Sequence, residues 1–385
     1  MTYLDHNASS PLLPVAREAW LDAVARLAGN PSSLHRPGAR ADRALDEARQ
    51  QLATALGCAP ADLIWTSGAT EACAAALHHA AATAGPEAVA WVSAVEHPAV
   101  RENARHFFAG RVEEIPVDAR GVVQRDWLTE RRRQGERPAV VAVMAANNET
   151  GVRQPWREVA AWCAAEGVTF FCDATQWCGR LPGRGLGDGD FVAGSAHKFG
   201  GPRGVGFLKV PRGKAFHPLW RGGGQLEGRR AGTENVAGVR AMVAALAWCE
   251  ERMAAGEDAA RAAWRDRFEA EVQAALPGVV VNGAGAERLW NTSSLVLPAP
   301  DCRQRWVVKL DKAGFAVSTG SACASGAEKP SPVLLAMGRS PAEAGRAIRV
   351  SAGWITTAEE WTALRGALER IHAAWTEGAA PEGSS

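Results

Sequence analysis

Short apolar runs and longer amphipathic stretches take turns along the chain. A first helix starts at about Pro14, with proline in its first turn, and is expected to run toward Gly29. In the next helix Ala41, Leu45, Ala48, Leu52 and Leu56 recur at spacings of three and four, an apolar face that Gly57 stops. From residue 63 the pattern becomes strand, helix, strand, helix. Apolar runs at 63–65, 88–92, 112–117, 139–143 and 168–171 read as strands, and helical stretches follow at 69–84, after Glu96, near Asp126 and from about Pro155. Continuous runs rich in β-branched residues predict strands buried on both faces. The result is an α/β fold, a mostly parallel sheet with helices on both sides. Residues 191–193 and 205–208 add two strands, and an alanine-rich helix covers 235–253. Gly256-Glu257-Asp258 reads as a hinge into a second, smaller unit. There a helix starts at 301–304 and stops at Gly314, residues 357–360 form a capping box, and Trp361, Leu364, Leu368, Ile371 and Trp375 share one stripe. The tail from Gly378 is polar and predicted to be disordered.

Ligands of such sheets sit beyond the carboxyl ends of the strands, so the polar residues at those ends are the candidates for chemistry. After the strand at 63 comes Thr66-Ser67-Gly68-Ala69-Thr70-Glu71, which serves either as a capped helix start or as a cradle for one phosphate. Glu96-His97-Pro98 follows the next strand, and Asn147-Asn148-Glu149-Thr150-Gly151 a later one. Asp173-Ala174-Thr175-Gln176 places a carboxylate straight after a buried strand, where it needs a cationic partner. Last comes Ser195-Ala196-His197-Lys198, backed by a glycine-rich turn. The chain has six lysines (Lys198, Lys209, Lys214, Lys309, Lys312 and Lys329), and Lys198 alone lies between a hydroxyl and an imidazole on one side and tight-turn residues on the other. A lysine so held can attack a carbonyl carbon and form a Schiff base. In chain order these ends offer a phosphate anchor, an imidazole, an amide, a carboxylate and a lysine, the set that pyridoxal phosphate requires.

Composition narrows the choice further. The 385 residues leave room for two domains. Lys and Arg number 43 against 42 Asp and Glu, well mixed, so there is no electrostatic footprint for nucleic acid or an anionic membrane. No apolar run approaches a membrane span, and residues 1–6 lack the pattern of a secretory signal, so a cytoplasmic location is expected. The eight cysteines are scattered, with neither a C-x-x-C pair nor zinc spacing. Seven read as small buried hydrophobes. Cys323 lies instead in Ser318-Thr319-Gly320-Ser321-Ala322-Cys323-Ala324-Ser325-Gly326, a small-residue run predicted to be a mobile, exposed loop with an available nucleophile. Arg349, inside the apolar run 347–351, calls for an anion, either an internal carboxylate or that of a substrate.

With these residues in place the chain resembles the cysteine desulfurases, in the class V aminotransferase-like branch of pyridoxal phosphate enzymes. The resemblance runs through 3–11, 66–71, 96–97, 147–151, 173–176, 195–198, 222–235, 320–325 and 348–349 in family order, and the loop around Cys323 is similar to the long-loop group. It implies fold type I, with a large cofactor-binding domain over 14–257 and a smaller α+β domain made of 1–13 and 258–385. Lys198 would hold pyridoxal 5'-phosphate, Asp173 would pair with its ring nitrogen, and Gln176 and Asn148 would lie near the ring oxygen. His97 would stack on the ring, and Ala69, Thr70, Ser195 and His197 would hold the phosphate. Thr233 would reach the phosphate in the neighbouring subunit of a homodimer with shared active sites. Arg349 and Asn148 would bind the carboxylate of L-cysteine.

The implied reaction gives L-alanine and a persulfide on Cys323, whose sulfur passes to an acceptor such as an iron–sulfur scaffold or a thiolation protein. Trp177 and Cys178 are bulkier than is usual beside the cofactor carboxylate, and Ala231 stands where the family often has serine. A selenocysteine lyase or another class V aminotransferase is the nearest alternative activity, and a non-catalytic sulfur-transfer scaffold the alternative of a different class. Cys323 argues against a transaminase, and intact Lys198, Asp173 and His97 argue against a scaffold.

Overall fold

A computed structural model describes residues 1–213, 215–298, 303–319 and 330–377. Lys214, Cys302, Cys323 and the tail from Gly378 lie outside the described residues. The chain begins with β1 (Thr2–Tyr3), α1 (Pro14–Arg26) and α2 (Arg36–Leu56). The alternating part follows as β2 (Leu63–Thr66), α3 (Ala69–Ala84), β3 (Ala90–Ser93), α4 (Pro98–Phe107), β4 (Val112–Ile115), α5 (Arg125–Arg133), β5 (Val140–Ala142), α6 (Trp156–Glu166), β6 (Thr169–Asp173), β7 (Phe191–Ser195) and β8 (Gly206–Lys209). Helices α7 (Val236–Ala254) and α8 (Glu257–Ala275) lead to β9 (Val280–Val281), β10 (Thr292–Val296), α9 (Arg303–Lys312), β11 (Phe315–Ala316), α10 (Pro332–Ala336), α11 (Pro341–Gly345), β12 (Ala347–Ser351) and α12 (Ala358–Glu377).

The expected α/β architecture is present. The seven-stranded sheet has the order β2-β8-β7-β6-β5-β3-β4. Strands β4, β3, β5, β6 and β7 run parallel, and only β8 is antiparallel to its neighbours β7 and β2. The apolar runs are fully buried, as in β2, β3, β5 and β7. Helix α3 packs across β6, β7 and β8, and α6 lies on β6. Helix α2 buries Ala41, Ala44, Leu45, Ala48, Leu52 and Leu56 and ends at Gly57, which adopts φ +77°. Helix α1 stops at Arg26, short of the expected Gly29.

Of the strands in two further sheets, β12 is legible in the sequence as the short apolar run 347–351, while β9, β10 and β11 are not. The order β12-β10-β9 makes an antiparallel sheet, and β1 pairs parallel with β11. Strand β10 escaped notice because Asn291-Thr292-Ser293-Ser294 is polar and reads as loop, yet all four residues are buried. Residues 1–6 join this C-terminal part: Leu4 N–H donates to Ala316 O, Ser351 N–H to Leu4 O and His6 N–H to Ser351 O. The chain then crosses to the large sheet, where Ser10 N–H donates to His197 O at 2.8 Å.

Close backbone contact sets the edge of the cleft. A Cβ on Gly206 of β8 would lie 2.5 Å from Gly194 O and 2.7 Å from Gly68 Cα. Gly68, at φ +154°, caps the start of α3 in a conformation that side chains disfavour. Gly206→Ala is expected to destabilise the fold by about 1–3 kcal/mol through overpacking. A lowered urea-unfolding midpoint checks this, and an unchanged midpoint contradicts the close packing.

Candidate active site

The carboxyl ends of β2, β6 and β7 open into a cleft of about 480 Å³, within the roughly 300–1,000 Å³ of small-molecule sites. It brings together Ala69, Thr70, His97, Asn148, Asp173, Gln176, Ser195, His197, Lys198 and Arg349. Those ten expected residues come from segments spread over 281 positions of the chain (349 − 69 + 1). Thr233 is exposed and lies outside this cleft, in a smaller hollow with Ser67, Gly204 and Arg230. Cys323 falls outside the described residues.

The start of α3 forms the anion end. Ala69 and Thr70 present the first helical N–H groups, which have no intrahelical acceptor. Thr66 Oγ1 donates to Gly68 O at 3.0 Å and fixes the turn. Glu71 accepts from Ser67 N–H at 2.7 Å and from Arg230 Nε at 2.9 Å, which ties the cradle to the 222–235 loop. Despite burial, these donors hold the Glu71 carboxyl below its usual range. Ser195, the last residue of β7, sits against Gly68.

At the next end, His97 caps α4: its Nδ1 accepts from Ala99 N–H at 3.1 Å. Burial lowers its pKa, opposed by the Asp173 carboxylate and reinforced by Lys198 and Arg349, so the ring is neutral near pH 7. Behind it, Glu96 is fully buried, its Oε1 accepts from Met144 N–H, and burial beside Asp173 pushes its carboxyl well up. Asn147 shapes the neighbouring turn. Its Oδ1 accepts from Glu149 N–H and Thr150 N–H, and the adjacent Asn148 is left in the cleft wall.

Asp173 ends β6. Its Oδ1 accepts from Thr175 N–H at 2.9 Å, and among the described residues no cationic side chain forms a salt bridge with it. Gln176 donates from Nε2 to Asn7 O at 3.0 Å, and its buried Oε1 has no partner among the described residues. Lys198 donates from Nζ to Asn7 O at 2.7 Å and to Ala8 O at 2.9 Å. His197 Nδ1 lies 3.2 Å from Ser9 Oγ. Asn7, Ala8 and Ser9 are thus part of the cleft wall, a role that the segment 3–11 did not reveal by itself. The local signal was present: a short polar segment rich in hydroxyls and amides before Pro11.

Arg349 is 2 % exposed at the centre of β12. Of the two anions expected for it, the internal carboxylate is present. Its Nη2 pairs with Asp5 Oδ1 at 2.7 Å, its Nη1 donates to Asn148 O at 3.0 Å, and it also lines the cleft. Trp177, expected beside the cofactor carboxylate, turns away from it. Its ring packs edge-on against Trp156 and its Nε1 donates to Pro182 O. Cys178 is buried outside the cleft, and burial pushes its thiol up, away from reactivity.

Burial of imidazoles beside cations sets a pH dependence. His6 is held down to about 4, by burial and then Arg180, and His197 to about 4, by burial and then Lys198, Arg203 and Arg180. The unfolded chain takes up these protons near pH 6.5, the folded chain only near 4. Stability is therefore full above about pH 6.5 and is lost as pH falls toward 4. Glu96, raised, works in the opposite direction by one proton. The urea midpoint is expected to decline from about pH 6.5 to 4.5, less steeply in His6→Asn. An identical slope in the variant contradicts the assignment.

Comparison with known proteins agrees with this geometry. The sequence profile of the family "Aminotransferase class-V" matches residues 2–364. A cysteine desulfurase of Klebsiella pneumoniae is 39% identical over 363 residues, covering 93% of this chain and 89% of the relative. Among solved structures, a "NIFS-LIKE PROTEIN" superposes with a TM-score of 0.88 at 29% identity, covering 97% of this chain and 99% of the other. "SspA in complex with cysteine" superposes with a TM-score of 0.78 at 26% identity, covering 91% and 98%. A profile match over most of the chain and close identity to a desulfurase along almost its full length place this chain in the class V aminotransferases, and among them in the cysteine desulfurase family.

Proposed function

We propose that this chain is a pyridoxal phosphate-dependent cysteine desulfurase, a sulfurtransferase that takes sulfur from L-cysteine onto Cys323 and leaves L-alanine. The observation that carries the reading is the pairing, in one cleft, of an Asp173 carboxylate without a cation and the Lys198 amine, with Arg349 beside them. One of the solved structures this chain resembles, SspA, is in complex with cysteine.

The residues present fit the cofactor. The N–H groups at the start of α3, with Ser195 and His197, suit a phosphate. The Asp173 carboxylate suits a protonated ring nitrogen, and the orphaned Gln176 Oε1 and nearby Asn148 suit the polar ring edge. His97, locked by its cap bond, offers a flat neutral ring to stack on. Pyridoxal phosphate bound there supplies an electron sink for the negative charge that develops on the substrate carbon.

The chain's own groups then divide the work. Arg349 binds the substrate carboxylate through a charge-assisted hydrogen bond, and Asn148 stands beside it. Lys198 Nζ holds the cofactor and takes the α-proton. The Cys323 thiolate attacks the substrate sulfur. The new S–S bond forms as the substrate C–S bond breaks, the bonding pair stays with the carbon skeleton, and protonation releases L-alanine.

The remaining assignments extend this reading. Residues 14–257 form the cofactor-binding domain, and residues 1–13 with 258–385 the smaller domain that carries Cys323. The crossing of the chain between the two at Asn7 to Ser10 supports that division. Thr233 serves the phosphate site of a second copy in a homodimer, which fits its exposure and its place outside the lining of its own cleft. The protein works in the cytoplasm and passes sulfur to an acceptor protein, an iron–sulfur scaffold or a thiolation protein. Among the described residues no helix is long and apolar enough to cross a membrane.

Three variants test the roles together. Lys198→Ala is expected to lose the visible cofactor band, and Cys323→Ala to lose catalytic release of L-alanine. Arg349→Ala should raise KM for cysteine about 30-fold or more, the equivalent of about 2 kcal/mol for a charge-assisted bond. An unchanged band in the first, wild-type alanine release without added reductant in the second, or a KM within about twofold in the third contradicts the corresponding role.

A further inference from the structure

Behind Lys198 lies an arginine that the reaction described so far does not use. Arg180 is 3 % exposed and follows Gly179, whose φ of +74° and 2.2 Å approach of a Cβ to Phe199 admit only glycine. Among the described residues no carboxylate lies within salt-bridge distance of it. Its guanidinium bonds backbone carbonyls instead. Nη1 donates to Gln176 O at 3.2 Å, and Nη2 to Lys198 O at 3.0 Å and His6 O at 3.4 Å. Its own backbone is pinned from the C-terminal part by Trp290 Nε1 donating to Arg180 O at 2.9 Å and Trp354 Nε1 donating to Gly179 O at 2.7 Å.

We propose that Arg180 is a positioning residue for the desulfurase reaction, its planar guanidinium clamping the backbone of Lys198, Gln176 and the segment before Asn7 in one register. The three carbonyls belong to, or directly precede, groups of the cleft wall: the Lys198 amine, the Gln176 amide and Asn7. Ser10 Oγ also donates to Lys198 O at 2.9 Å, so both lone pairs of that carbonyl are engaged and the backbone carrying the amine cannot rotate freely. A cation buried without a carboxylate is costly unless its donors find acceptors, and here carbonyls from three segments accept from both Nη groups. Burial lowers the Arg180 pKa only to about 10, so the fork stays charged at neutral pH.

The proposal rests on the reading of Lys198 as the cofactor lysine. The test uses full-length protein loaded with pyridoxal phosphate, in Arg180→Met, which removes every donor at similar length, and Arg180→Lys, which keeps a charge and three donors. Thermal unfolding, cofactor affinity from the visible band, and kcat and KM for alanine release are measured on each. Arg180→Met is expected to bind the cofactor at least about tenfold more weakly and to turn over about 10- to 100-fold more slowly, with KM within about threefold, since misplacement of a reacting group costs kcat. Arg180→Lys is expected to restore most of both. Should Arg180→Met fail to fold, Arg180→Gln is read in its place with the same expectation. A folded neutral variant with wild-type affinity and kcat overturns the proposal. So does a neutral variant that only melts earlier, or a lysine variant no better than the neutral one. Wild-type protein with neither band nor alanine release overturns the underlying reading of Lys198, an outcome distinct from these.

Discussion

Asn7 is 1 % exposed, and every hydrogen-bonding group it owns is engaged. Its N–H donates to Ser351 Oγ, and its carbonyl accepts from Lys198 Nζ and Gln176 Nε2. Its amide nitrogen donates to Asn148 O and Thr292 Oγ1, and its amide oxygen accepts from Asn291 Nδ2. One side chain and one peptide group thereby join β10 and β12 to the ends of β6 and β7. Lys198, the Gln176 amide and Arg349, which bonds the same Asn148 carbonyl, are held in one network. A buried polar network of this kind is rigid when complete and costly when any member is left unpaired.

Charge in the cleft follows from the same arrangement. Arg349 lies between Asp5 and the Asn148 carbonyl, and Arg180 lies under Lys198 among carbonyls. These cations and burial keep the surrounding imidazoles neutral. Burial pushes the Glu96 carboxyl up, and the carboxyl groups that line the cleft are those of Asp173 and, at the anion end, Glu71, which Arg230 holds. The field at the cleft is therefore shaped by backbone dipoles and arginines at fixed places, which reorganise little during reaction. Two flanking elements transmit that order outward: the Glu71–Arg230 pair toward the 222–235 loop, and the Trp290–Trp354 pair, with ring centroids 4.5 Å apart, toward the C-terminal part.

The large sheet and most of the cleft were legible in the sequence because both depend on local signals. Apolar runs such as 139–143 and 168–171 mark central strands, and the residues after them mark the ligand end. Lys198, Asp173, His97 and Arg349 carried chemistry that could be read from their neighbours. What stayed hidden depends on contacts distant in sequence. Strand β10 is polar because its hydroxyls and amides bond Asn7 and Asn282, partners that no periodicity announces. The Asp5–Arg349 pair spans 344 positions. Trp177 was expected beside the cofactor carboxylate, but its ring packs edge-on against Trp156 instead. Arg180 is buried, and two of the carbonyls it bonds, on His6 and Lys198, lie 174 and 18 positions away, beyond the reach of any local pattern.

The link between Asn7 and the reacting groups is tested most directly by steady-state kinetics and the cofactor spectrum of Asn7→Ala in the loaded enzyme. The backbone carbonyl remains in that variant, but the side-chain bonds to Asn148, Thr292 and Asn291 are lost. A fall in kcat/KM for cysteine of at least about tenfold, with a weakened visible band, is the predicted result, equivalent to about 1.4 kcal/mol of lost transition-state stabilisation. Wild-type kcat/KM with an unchanged band in a folded variant would contradict the dependence of the cleft on this residue.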